Sequence, residues 1–119
     1  MTTAQIAGKL KSLCDQGKFE AAQKELFSED AVSIEPYASP AFEKETRGLD
    51  AILAKGEKWQ GMVAENHALE ISDPLIAGNS FALTMRIDVT MKERGRMDMT
   101  ELCVYRVDNG KIVSEEFFM

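Results

Sequence analysis

Apolar residues recur along the chain with two different periods, and the change from one to the other falls near residue 64. Ile6, Leu10 and Leu13, with Cys14 beside them, keep the spacing of one helical face, and Gly17 offers the left-handed stop that ends many helices. Phe19, Ala22 and Leu26 continue a second, shorter stripe. Ser28-Glu29-Asp30 breaks the pattern before AVSIEP, residues 31–36, which reads as a short strand closed by Pro36. Residues 37–47, YASPAFEKETR, hold Pro40 and charges without a sustained period and predict a long loop, of the kind that frames a binding site or closes over it. Ile52, Gly56, Trp59 and Val63 fall at i, i+4, i+7 and i+11, which predicts a third helix with Asp50 in its first turn and Trp59 on its buried side.

From residue 64 the period is two. His67, Leu69 and Ile71 share one face of a strand, with Ala68, Glu70 and Ser72 on the other. After Gly78-Asn79, the run Phe81, Leu83, Met85, Ile87, Val89 and Met91 alternates with Ala82, Thr84, Arg86, Asp88, Thr90 and Lys92. Glu93-Arg94-Gly95 turns the chain into a strand containing MTELCVYRV, residues 99–107, and Asp108-Asn109-Gly110 turns it again into KIVSEEFFM. Four strands joined by short turns predict an antiparallel meander, and helices that all precede it cover one of its faces, which makes the fold α+β. The last strand has no clear inner side: Ile112, Ser114, Glu116 and Phe118 are no more apolar than Val113, Glu115, Phe117 and Met119.

Composition narrows the function. A chain of 119 residues, 45% hydrophobic, suits one domain spanning 1–119 with a real core. Fourteen basic against 20 acidic residues give a net charge of −6, which argues against nucleic acid and anionic membranes and for small molecules or proteins as partners. The N-terminus lacks the apolar core of a signal peptide, and no window approaches the run of about 18 apolar residues that spans a bilayer. A cytoplasmic protein is expected, with Cys14 and Cys103 reduced and buried.

Glu101 stands out because it interrupts the apolar row of Met97, Met99, Cys103, Tyr105 and Val107. Burial raises the pKa of a carboxyl without a partner, and the neutral acid donates a hydrogen bond; the alternatives are a structural hydrogen bond or a twist that turns Glu101 to solvent. Glu35 either lines the interior as a base or, being opposite Val32 and Ile34, is a solvated residue at a strand end. His67, the only histidine, shares a face with Leu69 and Ile71 and is expected in the interior, as a base or as a satisfied core residue. No ligand spacing suggests a metal, and neither a nucleophile–base pattern nor a phosphate loop is present. Trp59, Tyr37, Tyr105, Phe81, Met85, Met97 and Met99 would line an apolar pocket or simply fill the core.

Three stretches, LFSEDAVSIEP at 26–36, RG-x-DAI at 47–52 and ELCVYRVDNGKIVSEEFF at 101–118, resemble the NTF2-like superfamily, which includes ketosteroid isomerase and the SnoaL-like polyketide cyclases. The resemblance implies an NTF2-like (cystatin-like) cone, with N-terminal helices packed on a strongly curved, mainly antiparallel sheet around a cavity. It implies cofactor-free isomerisation, cyclisation or dehydration of a small carbonyl- or hydroxyl-bearing molecule, or a non-catalytic binding or dimerisation module. Glu101, four residues before Tyr105, matches the isomerase's protonated acid, and Glu35 before Pro36 matches its base, whereas its first-helix tyrosine has no counterpart in residues 1–17. Glu116 is the nearest match to the acid of the cyclases. Leu102 and Val104, on the face away from Glu101, suggest a homodimer through the outer side of the sheet.

Overall fold

A computed structural model describes residues 1–119. Helix α1, Thr3–Asp15, begins at a reciprocal cap in which the Gln5 N–H donates to Thr2 Oγ1 (3.1 Å) and the Thr2 N–H donates to Gln5 Oε1 (2.9 Å). It buries Ile6, Ala7, Leu10 and Cys14. Helix α2, Phe19–Leu26, runs directly into strand β1, Phe27–Ile34, so Ser28-Glu29-Asp30 lies inside the strand rather than ahead of it. A loop over residues 35–44 leads to β2, Glu45–Arg47, and then to helix α3, Leu49–Met62. Strands β3 (Val63–Ile71), β4 (Leu75–Ala77), β5 (Ser80–Met91), β6 (Gly95–Asp108) and β7 (Lys111–Phe118) complete the chain. Periodicity finds every element except β2 and β4, whose three residues are too few to show one.

The sheet corrects the expectation of a strongly curved cone, although five of its six strand pairings are antiparallel. Its strand order is β2-β1-β7-β6-β5-β3, with β4 beside β5, and it is mixed because β1 runs parallel to β7. It is also open, since β2 and β3 end the order without pairing with each other, and so forms neither a barrel nor a strongly bent wall. Bulges are what bend strands sharply, yet the longest pairing, β5 with β6, continues unbroken from Ser80↔Arg106 to Met91↔Gly95. Alternation reports which side of a strand is buried but not which strands are neighbours, so the β1–β7 pairing was not visible in the sequence.

Helix α3 packs on β1, and α1 packs across β3, β4 and β5 on the same side of the sheet. The core between them joins Ile6, Leu10 and Leu26 to Ile52, Phe81, Leu83, Tyr105 and Ile112. No helix is long and apolar enough to cross a membrane.

Two irregularities decide which side chains face this core. In β3 the register steps from Asn66↔Val89 to Ala68↔Asp88, leaving His67 as the extra residue of a bulge. In β7 it steps from Val107↔Ile112 to Arg106↔Ser114 and Tyr105↔Glu115. Ile112, Glu115 and Phe117 therefore face inward despite their unequal parity, and Glu116 faces outward.

The β6–β7 turn places Asn109 and Gly110 at φ 49° and 74°, the paired left-handed conformation of a tight hairpin. A Cβ at Gly110 meets only ordinary contacts with Met1, so the penalty of Gly110→Ala is conformational. We expect a loss of about 1 kcal/mol in urea unfolding, with the slope unchanged.

Candidate functional site

Cross-strand pairing builds the site on the inner face. Ser33 of β1 is opposite Glu115 of β7, Glu115 opposite Tyr105 of β6, and Tyr105 opposite Phe81 of β5, forming one row across four strands. The next row holds Phe117, Cys103 and Leu83, and the one beyond it Glu101, Met85 and Ile71. Ser33 is fully buried and Glu115 is 5% exposed. A buried carboxyl needs a donor, and the Ser33 hydroxyl supplies one to Glu115 Oε1 at 2.8 Å.

Helix α3 brings the cation. Its buried Ile52 faces the sheet, and Lys55, one turn on, lies on the flank of that face. The Lys55 ammonium donates to Ser33 Oγ (2.6 Å) and to Glu35 Oε1 (3.1 Å), and lies 5.7 Å from the centre of the Phe117 ring. Both partners of the ion pair are largely enclosed, their side chains 15% and 26% exposed. Nearby, the Lys58 ammonium donates to the Ala41 carbonyl and sits over the Phe42 ring, which ties the 35–44 loop to α3.

Glu101 has no such partner. Burial pushes its carboxyl up from 4.5 to about 7, helped by the charges of Glu35 and Glu115 and opposed by Lys55. No hydrogen bond contributes, and no unpartnered side-chain polar atom in the protein is sealed from solvent, so the Glu101 carboxyl opens onto accessible space. Glu115 is likewise raised to about 7 by burial, against the Ser33 hydrogen bond and the Lys55 charge. Burial also raises the Cys14 thiol to about 12 and moves Cys103 and Tyr105 upward, which keeps all three neutral near pH 7.

The structure brings some expected residues together and separates others. Glu101 and Glu35 face the same interior, with Met85 and the half-buried Met99 on the Glu101 face. Phe81 and Tyr105 stack with ring centres 4.8 Å apart and are closed into the core, and Trp59 is half-buried on α3. His67 is not in the interior: the bulge turns it outward, where Nε2 lies 2.7 Å from Thr90 Oγ1 and 3.4 Å from Glu65. Glu116 is on the outer face beside Val104 and Ile34, and Tyr37 is 64% exposed on the loop.

Three members escaped sequence reasoning. Lys55 was legible in principle, three residues after Ile52 and four before Trp59 on the predicted buried flank. Ser33 was hidden because Val32 and Ile34 looked like the inward pair, and Glu115 because its bulge leaves no mark in the alternation. No group of three or more His, Cys, Asp and Glu is arranged to hold a metal ion.

The fold and this interior site define an α+β NTF2-like protein. A profile of the SnoaL-like domain matches residues 1–119, and the chain belongs to that family. It is 34% identical to a candidate SnoaL-like polyketide cyclase of Mesorhizobium loti, which also carries the label carbohydrate phosphatase; each chain is covered completely and the TM-score is 0.93. At 19% identity it resembles IdmH, a candidate polyketide cyclase of Streptomyces antibioticus, with 99% of this chain and 91% of that one covered and a TM-score of 0.73. At 20% identity it resembles a candidate isomerase of Bacillus subtilis, covering 98% and 88%, with a TM-score of 0.72. No curated protein is detectably similar to the chain.

The raised acids tie stability to pH. Glu101 and Glu115 stay protonated in the folded protein up to about pH 7 but ionise near 4.5 when it unfolds, so the folded state binds more protons between those values. Stability is therefore highest near the lower value and falls as pH rises through 7. Each shift corresponds to on the order of 3 kcal/mol, less for Glu101 because solvent reaches it. Urea midpoints should fall between pH 5 and pH 8, and Glu101→Gln with Glu115→Gln should flatten that fall. A wild-type midpoint that rises over this range would overturn the assignment.

Proposed function

We propose that the chain binds a small, mostly apolar molecule bearing a carbonyl or hydroxyl, and catalyses its isomerisation, cyclisation or dehydration by acid–base chemistry without a cofactor. The observation that carries the reading is the Glu101 carboxyl, raised to about 7, without a hydrogen-bond partner and open to accessible space. A neutral acid there donates to a ligand oxygen and stabilises the charge that develops on it. Glu35, the first residue after β1 and held by Lys55, is the base that removes a proton next to the carbonyl. Met85 and Met99 beside Glu101, with Trp59 from α3, supply an apolar surface for the rest of the ligand. The relatives named as candidate polyketide cyclases and isomerase support this class of chemistry. A net charge of −6 favours small molecules over nucleic acid, in the cytoplasm.

The test is deuterium exchange from D2O into a panel of β,γ-unsaturated ketones and 1,3-dicarbonyl compounds. Glu101→Gln and Glu35→Gln should each slow exchange by roughly 10²- to 10⁴-fold while Glu101→Gln still binds the compound. Exchange at the wild-type rate in both variants would reduce the site to a binding pocket.

A second observation favours assembly. Leu102 and Phe118 are neighbours across β6 and β7 on the outer face, 41% and 46% exposed, with Val104 beside them. This apolar strip suits a homodimer through the outer sheet. Sedimentation at micromolar concentration should show twice the 13.2 kDa chain mass, and Leu102→Glu should return it to the single chain. A wild-type protein of single-chain mass would end this reading.

A further inference from the structure

We propose that Lys55 is a positioning residue of the site: bonded to Ser33 and Glu35 and seated against the Phe117 ring, its ammonium holds the negative charge of the carboxyl cluster on Glu35 and leaves Glu101 and Glu115 to carry protons. The inference deepens the acid–base reading and rests on it, because it assigns which carboxyl is the base and which are the acids.

Hydrogen-bond direction carries the first step. An ammonium only donates, so Ser33 Oγ must accept from Lys55, and the Ser33 proton is then committed to Glu115 Oε1. The proton that Glu115 holds sits on Oε2, the oxygen that Ser33 does not engage. Lys55, Ser33 and Glu115 form a chain of fixed polarity, while Glu35 touches the ammonium directly.

Placement carries the second step. Glu35 meets Lys55 at 3.1 Å and keeps 26% of its side chain exposed, whereas Glu115 reaches the cation only through Ser33 and is almost fully buried. Contact and hydration both favour charge on Glu35. The groups that face this region from the surrounding elements are Cys14 on α1, Lys55 on α3, Ser33 on β1 and Glu35 just after it, Glu101, Cys103 and Tyr105 on β6, and Glu115 on β7. The thiols and the phenol are neutral near pH 7, so Lys55 is the only cation of the set.

The experiment is a titration of the glutamate carboxyl carbons by NMR in the wild type, Lys55→Met, Lys55→Arg and Glu35→Gln, with folding followed by circular dichroism. Lys55→Met keeps the length of the side chain and removes its charge, and should move the Glu101 and Glu115 midpoints upward by about one pH unit. Lys55→Arg should leave them near the wild-type values. Unchanged midpoints in folded Lys55→Met would show that Lys55 only fills space, and would overturn the proposal. If that variant does not fold, Glu35→Gln decides: the charge then passes to Glu101 and Glu115 and their midpoints fall, whereas unmoved midpoints refute the assignment. No step depends on turnover, so a protein inactive towards every ketone but with these shifts would lose the acid–base function and keep the role of Lys55.

Discussion

Three carboxyls and one ammonium share the interior face of the sheet, and this imbalance governs the site. Lys55 can compensate one negative charge by contact, and it does so at Glu35. The remaining two acids are not in contact with the ammonium, and burial outweighs its charge and the Ser33 hydrogen bond to Glu115, so both are pushed towards neutrality. A neutral acid in an apolar setting is a hydrogen-bond donor, and a carboxylate beside an ammonium is a base with a fixed address. The proposed donor and base would both follow from placing unequal numbers of opposite charges where water is scarce.

That placement depends on a pairing made early and completed last. Strand β1 leaves α2 directly and lies parallel to β7, which sets Ser33 against Glu115 across more than 80 residues of chain. Helix α3 follows β1 and packs back on it, so Lys55 arrives over the same pair. The bulge in β7 then lets Ile112 seal the core while Glu115 and Phe117 point towards the ammonium. Without the bulge, the residues after Ile112 would alternate the other way, and Glu116 would stand in the place of Glu115.

What could be read in the sequence, and what could not, divides along the same physical line. The three helices, the long strands and the inward set from Phe81 to Met91 follow from period alone, because burial on one side imposes it over many residues. Glu101 was legible for the same reason: twelve unbroken pairs with β5 keep its parity with Met99 and Cys103. His67 was misplaced because it lies at a bulge, and the face of Glu116 was left open because it lies beyond one, where one unpaired residue reverses the faces. Glu35 and Ser33 were obscured by composition, since Val32 and Ile34 are the more apolar pair yet lie on the outer side. The parallel contact and the flatter, open sheet were beyond reach, because periodicity carries no information about which strands meet.

The outer face manages its charges in the opposite manner. Arg86 grips Asp98 at 3.0 and 2.8 Å, Arg96 grips Asp88 at the same two distances, and Arg86 extends to Glu70 at 3.2 Å. There Asp88, Asp98 and Glu70 each have an arginine, and the pairs link β5 with β6 and with β3. The Arg96 contact lowers the pKa of Asp88, whereas burial raises those of Glu101 and Glu115. A chain that gives Asp88, Asp98 and Glu70 arginine partners on one face leaves Glu101 unpaired on the other, at a cost on the order of 3 kcal/mol for a shift of that size before allowance for solvent. Scaffolding gains nothing from that expense, since an apolar residue beside Met85 would pack at no such penalty. The acid–base use proposed for that proton would account for the cost.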